Sequence, residues 1–165
     1  MIQKKVCLLG AFAVGKTSLV KQYVSGIFSE KYHTTVGVKI DKKVLEVQGE
    51  PMTLILWDLH GEDEFQKIRA SYLRGSSGYV LVIDGTRQLT LGVVEGLQQM
   101  AQEILGDVPF VVVVNKADLS DQWEIGEEAV ADLKDRGWTV IEGSAKTGQG
   151  VEEAFFTLAK AMVDE

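Results

Sequence analysis

Apolar residues recur along this chain in two rhythms. Unbroken runs, Tyr79-Val-Leu-Val-Ile83 and Phe110-Val-Val-Val-Val114, fit strands covered on both faces. Lys5–Leu9, Val38–Val47, Met52–Trp57 and Thr139–Ile141 read as further strands. Gln48-Gly49-Glu50-Pro51 leaves no room for a crossover helix, so the strands on either side of it should form an antiparallel hairpin. Elsewhere the spacing turns helical. Val93, Val94, Leu97, Met100 and Ile104 share one face, as do Val151, Ala154, Phe155, Leu158 and Met162. Ser18–Val24 can continue as a helix behind the first strand. Strands alternating with helices predict an α/β sheet, parallel except at the hairpin edge, with ligands at the carboxyl ends of its strands.

The 165 residues suit one domain spanning 1–165, with 45% hydrophobic and 25% charged residues and only two prolines. No apolar run approaches the ~20 residues of a membrane helix. The single cysteine, Cys7, excludes a disulfide framework and reads as a core residue, which favours a cytoplasmic setting. The net charge of −7 is uneven. Residues 1–50 hold eight Lys/Arg against four Asp/Glu, whereas residues 101–165 hold five against fourteen. No basic stripe follows a nucleic-acid backbone, so nucleic acid is not an expected partner.

Gly10–Thr17 reads Gly-Ala-Phe-Ala-Val-Gly-Lys-Thr and fits G-x-x-x-x-G-K-[ST], between an apolar run and a helical segment. A glycine loop opening a helix turns backbone N–H groups, here from Ala13, Val14, Gly15, Lys16, Thr17 and Ser18, toward a phosphate. Lys16 would reach the terminal phosphates, and the Thr17 hydroxyl would ligate Mg²⁺. ATPases, GTPases and kinases all carry such a loop, so it leaves the base open.

Asn115-Lys116-Ala117-Asp118 follows a strand directly and narrows the choice. A carboxylate at Asp118 can accept both N1–H and N2–H₂ of guanine, and a buried carboxylate left unpaired by another base rejects it strongly. Ser144-Ala145-Lys146 follows the next strand, where the Ala145 N–H can meet guanine O6. Asp58-Leu-His-Gly61 ends the third strand: Asp58 would hold Mg²⁺ through water, and the Gly61 N–H can bond a γ-phosphate oxygen. Thr35, in Tyr32–Gly37, supplies a hydroxyl to cap the metal. The two loops would be ordered by γ-phosphate and Mg²⁺ and released when the phosphate leaves.

With these motifs in order, the chain resembles the Ras superfamily of small GTPases, its Rab-type members most closely. The resemblance rests on Gly10–Thr17, Thr35-Val-Gly37, Trp57-Asp58 with Gly61, Tyr72-Leu-Arg-Gly75, Asn115–Asp118 and Ser144–Lys146. It implies a P-loop G domain: a six-stranded sheet with one antiparallel edge strand and helices on both faces. It also implies a GTP/GDP cycle with Mg²⁺, and protein effectors and regulators that read residues 30–45 and 57–75. Phe28 would pack against guanine and Lys116 lie along it. The resemblance assigns Trp57 and Tyr72 to an apolar patch that effectors read, although the residues alone fit a core equally well.

Departures from the family pattern bear on rate. The water-orienting glutamine after the D-x-x-G glycine is Glu62, and P-loop positions usually small are Phe12 and Ala13. His60 stands where alanine is common, a position read as structural or solvent-facing. Lys16, Thr35, Gly61 and Glu62 form the candidate catalytic set. Ala161-Met-Val-Asp-Glu165 carries no prenylation cysteine: either the sequence stops at the domain or the protein works without a lipid anchor. No direct membrane anchor within these residues and a monomeric state are expected. Two functions fit: a switch that hydrolyses GTP slowly, and a GTP-binding interaction module with negligible turnover. A P-loop kinase would leave Asn115–Asp118 unexplained.

Overall fold

The structure, a computed structural model, describes residues 2–11, 13–25, 38–59 and 70–163. In chain order it runs β1 (Ile2–Gly10), α1 (Lys16–Ser25), β2 (Val38–Val47), β3 (Glu50–Leu59), α2 (Ala70–Leu73), β4 (Gly78–Asp84), α3 (Leu89–Leu105), β5 (Phe110–Asn115), a 3₁₀ helix (Ala117–Gln122), α4 (Glu127–Asp135), β6 (Val140–Glu142) and α5 (Val151–Val163). One six-stranded sheet has the order β2-β3-β1-β4-β5-β6. Only β2 with β3 is antiparallel.

The continuous apolar runs are strands that feed two layers. Val6 and Leu8 of β1, Val80 and Val82 of β4, and Val111 and Val113 of β5 pack with Leu19, Val20 and Tyr23 of α1 and the inner face of α5. The alternate residues Cys7, Leu9, Tyr79, Leu81, Ile83, Val112 and Val114 pack with α3, Leu73 of α2 and Leu133 of α4. Side chains of a strand alternate between faces, so a run of five apolar residues serves both layers. On α5 all five residues of the anticipated core face are buried, and Phe155 stacks on Tyr23 at 4.1 Å between ring centroids. Its neighbour Phe156 points outward and is 46% exposed.

Two differences from the sequence expectation have simple causes. Glu50 and Pro51 belong to β3 rather than to the turn, because Gln48 and Gly49 (φ 54° and 82°) close the hairpin as a two-residue loop. That mirror-image turn matches the twist of the strands it joins. Pro51 is tolerated because pairing of β3 with β1 starts one residue later, at Met52. The second difference is α4, which no apolar stripe announces: Leu133 is its one buried side chain.

Sheet order reverses across β1, with β3 on one side and β4 on the other. Ligands of open α/β sheets bind beyond the strand carboxyl ends at such a reversal. The loops after β1, β3, β4, β5 and β6 therefore share one edge.

Candidate functional site

The loop after β1 is shaped as an anion cradle. Ala13 and Gly15 have positive φ, 64° and 100°, and the Leu19 N–H begins α1 by donating to the Gly15 carbonyl at 2.9 Å. Alternating right- and left-handed residues turn successive N–H groups to one side. A Cβ at Gly15 would lie 2.3 Å from Asn115 Nδ2, so both backbone and space require glycine there. Lys16 is buried at the start of α1 and donates to the Gly10 carbonyl at 3.2 Å. Its ammonium thus lies against the loop.

Thr17 Oγ1 donates to Asp58 Oδ2 at 2.5 Å, which joins α1 to the end of β3. Asp58 is fully buried. A hydroxyl and a carboxylate converging beside a phosphate cradle is the oxygen donor set that suits Mg²⁺, which keeps most of its waters and takes one or two protein oxygens. The residues present fit that ion, with Thr17 and Asp58 as its protein side.

On the base side, Asn115 holds three loops together. Its Nδ2 donates to the Val14 carbonyl at 2.9 Å, and its Oδ1 accepts the Ala145 N–H at 3.1 Å. The Ala145 N–H, expected to face guanine O6, is thus engaged with Asn115 here, because the Asn115 carboxamide bridges two neighbouring loops. Ser144 Oγ donates to Asp118 Oδ1 at 2.7 Å while accepting the N–H groups of Lys146 and Thr147. Ser144 is buried and Asp118 exposed, so a buried hydroxyl aims a carboxylate that remains open to solvent.

Register explains a further group. β4 and β5 align Asp84 with Asn115, which places Lys116 just past the end of β4. Lys116 Nζ lies 2.8 Å from Asp84 Oδ2, with Arg87 Nε at 3.1 Å from the same oxygen. Asp84 Oδ1 accepts the Thr86 hydroxyl at 2.7 Å and the Thr86 N–H at 2.9 Å. Burial pushes the Asp84 carboxyl up, but hydrogen bonds from Lys116 and Thr86 and the Lys116 charge outweigh it, holding it below the ordinary 3.8. Sequence reasoning missed Asp84, Thr86 and Arg87; the one signal was an acidic residue closing a fully apolar strand.

A carboxyl lowered by folding adds stability that is complete above its unfolded value and is lost as pH falls through the folded one. Asp84→Asn is expected to cost about 1–3 kcal/mol at neutral pH. It should also flatten the loss of stability below pH ~4. Denaturant unfolding at pH 7 and pH 3 checks this; an unchanged acid limb would contradict the assignment.

Trp57 and Tyr72 are half-buried, their rings 6.5 Å apart and tilted, with the Lys5 ammonium 3.8 Å from the Trp57 ring centre. They lie between core and surface. Thr35, Gly61, Glu62 and Phe28, with Phe12 and His60, lie outside the described residues. Among the described residues no helix is long and apolar enough to cross a membrane.

Comparison with known proteins bears on the chain as a whole. The sequence model of the Ras family matches residues 5–164. The Ras-related protein RabJ of Dictyostelium discoideum is 31% identical over 164 residues, covering 98% of this chain and 64% of RabJ. Rab-8B of Bos taurus is 32% identical over 158 residues, covering 94% of this chain and 76% of its own length. The Ras-related protein SEC4 of Saccharomyces cerevisiae is 32% identical over 162 residues, covering 98% and 75%.

Proposed function

Because this chain belongs to the Ras family of small GTPases, Rab-like in its motifs, we propose that residues 1–165 form one domain that binds GTP and GDP with Mg²⁺ and acts as a nucleotide-dependent switch with slow hydrolysis. The observation that supports it most is Asn115, whose carboxamide ties the phosphate loop to the loop after β6 within hydrogen-bond distance of both. Phosphate and base subsites are thereby fixed at one separation, as a nucleotide needs. Asp118, aimed by Ser144, reads the guanine edge. Phe28 and Lys116 flank the base, and Lys146 closes the loop behind Ala145. In this arrangement the Ala145 N–H serves guanine O6 by sharing its bond to Asn115.

The backbone of Ala13–Ser18 and the Lys16 ammonium bind the phosphates, and Thr17, Thr35 and Asp58 hold the metal. Bound Mg²⁺ supplies positive charge to the β- and γ-phosphate oxygens. The Gly61 N–H orients the γ-phosphate. Effectors and regulators dock on residues 30–45 and 57–75, where Ile40 is 48% exposed near the half-buried Trp57.

The reading of rate rests on Glu62. A carboxylate ~4 Å from a γ-phosphate oxygen meets a repulsion of about 4 kcal/mol per unit charge at an effective dielectric near 20. Each ~1.4 kcal/mol added to the barrier slows the reaction tenfold. A carboxylate that avoids this repulsion by swinging away or taking a proton no longer orients water as an amide does. Phe12 adds bulk where an activating arginine from a partner would enter. Single-turnover hydrolysis by wild type, Glu62→Gln and Phe12→Gly tests this: a slow wild type and a faster Glu62→Gln are expected. A fast wild type slowed by Glu62→Gln would make the carboxylate a base and overturn the account. Turnover indistinguishable from the uncatalysed rate in all three proteins would favour the interaction-module reading, for which Glu62 is the motivating residue.

A further inference from the structure

Trp123 lies just past the 3₁₀ helix, outside every motif above, yet it reaches back into the base-recognition loop. Its indole Nε1–H donates to the Lys116 carbonyl at 2.8 Å. Lys116 is the left-handed residue of that loop, with φ 72° and ψ 38°, a conformation that a non-glycine residue keeps only when its surroundings hold it. The peptide leaving Lys116 is gripped at both ends. Its oxygen accepts from Trp123 and from the Leu119 N–H at 2.9 Å, and its N–H, on Ala117, donates to the Gly143 carbonyl at 2.9 Å. Asp118 is the next residue.

The indole is itself seated by β4. The N–H groups of Glu124 and Ile125 both donate to the Gly85 carbonyl, at 2.9 and 3.2 Å, and the Gly85 N–H donates to the Asn115 carbonyl at 3.1 Å. Gly85 leaves the space that the ring occupies, since a Cβ there would lie 2.3 Å from Trp123 Cε2 and 2.5 Å from Nε1. Asn115, Gly85, Trp123 and Lys116 thus form a closed circuit of contacts around the loop that carries Asp118.

We infer that Trp123, seated over Gly85, is a positioning residue for guanine recognition: by holding the strained Lys116 peptide it fixes the direction in which Asp118 meets the base. This rests on the guanine-nucleotide reading above. It sets nucleotide release by a residue that lies outside the base motifs, five positions after Asp118, through a side chain that need not touch the nucleotide.

The test compares dissociation of GDP and IDP from wild type, Trp123→Phe and Gly85→Ala. Inosine lacks the 2-amino group, so Asp118 meets one donor of that base instead of two. Trp123→Phe keeps a ring over Gly85 and loses the N–H; it should speed GDP release about two- to tenfold, the net effect of one hydrogen bond, and speed IDP release distinctly less. Gly85→Ala retains the N–H and displaces the ring, and it should act in the same direction. Trp138→Phe, whose ring packs on Phe110 at the opposite end of β5 from Asn115, should change neither rate. Equal acceleration of GDP and IDP would reduce Trp123 to a structural role and overturn the inference, as would no acceleration of either. A wild type that holds neither nucleotide would overturn the guanine reading itself, and the inference with it.

Discussion

Asp118→Asn is expected to lower GDP affinity by about 10²–10³-fold and to raise affinity for xanthosine diphosphate. The carboxylate offers two acceptors to the two donors of the guanine edge. Ser144 donates to Oδ1 at 2.7 Å, so in the variant the same hydroxyl should hold the amide oxygen and leave the amide NH₂ toward the base. A donor would then face a donor. Breaking one charged hydrogen bond and opposing a second pair of like polarity costs about 3–4 kcal/mol, and each ~1.4 kcal/mol is tenfold in affinity. Xanthine carries an oxygen at that ring position and accepts from the new amide. Competition titration with GDP and XDP reads the switch directly. An asparagine variant that still prefers GDP would place base recognition elsewhere.

The second large effect concerns Thr17. Replacing it by asparagine removes the hydroxyl that joins Asp58 at 2.5 Å and that would ligate Mg²⁺. The triphosphate has the greater charge and the greater need for metal at its β- and γ-oxygens. GTP affinity should therefore fall at least about tenfold more than GDP affinity, a differential of ~1.4 kcal/mol. Chelating the metal should abolish that differential, because both proteins then lack the ligand the substitution affects. Thr35→Ala, by contrast, should leave GDP binding nearly intact and weaken partner binding. Equal loss of GTP and GDP affinity in Thr17→Asn with Mg²⁺ present, or a differential that survives chelation, would contradict the assignment.

The sequence showed the strands wherever a run served two faces. Phe110–Val114 and Tyr79–Ile83 are bordered by a single added residue at most ends, and Val38–Val47 has the bounds it was expected to have. Helix α4 was illegible because a helix that buries only Leu133 leaves almost no apolar rhythm. The same division runs through the site. Gly10–Thr17, Asn115–Asp118 and Ser144–Lys146 are contiguous because a loop at a strand end delivers neighbouring residues together. The partnership of Lys116 with Asp84 depends on the register of β4 against β5, and that of Trp123 with Lys116 on the path of the chain after the 3₁₀ helix. Neither is written in local spacing. Ala145 shows a different limit: its position was legible, but its engagement with Asn115 is a choice between two acceptors that only the folded geometry displays.

The most direct test of a guanine-nucleotide site is the nucleotide the protein itself carries. Purified protein kept in Mg²⁺, denatured, and its released small molecules separated by chromatography should yield GDP or GTP near one equivalent, with adenine nucleotides at background. Adenine nucleotide at that stoichiometry, or a nucleotide-free protein that takes up ATP as readily as GTP, would contradict the account.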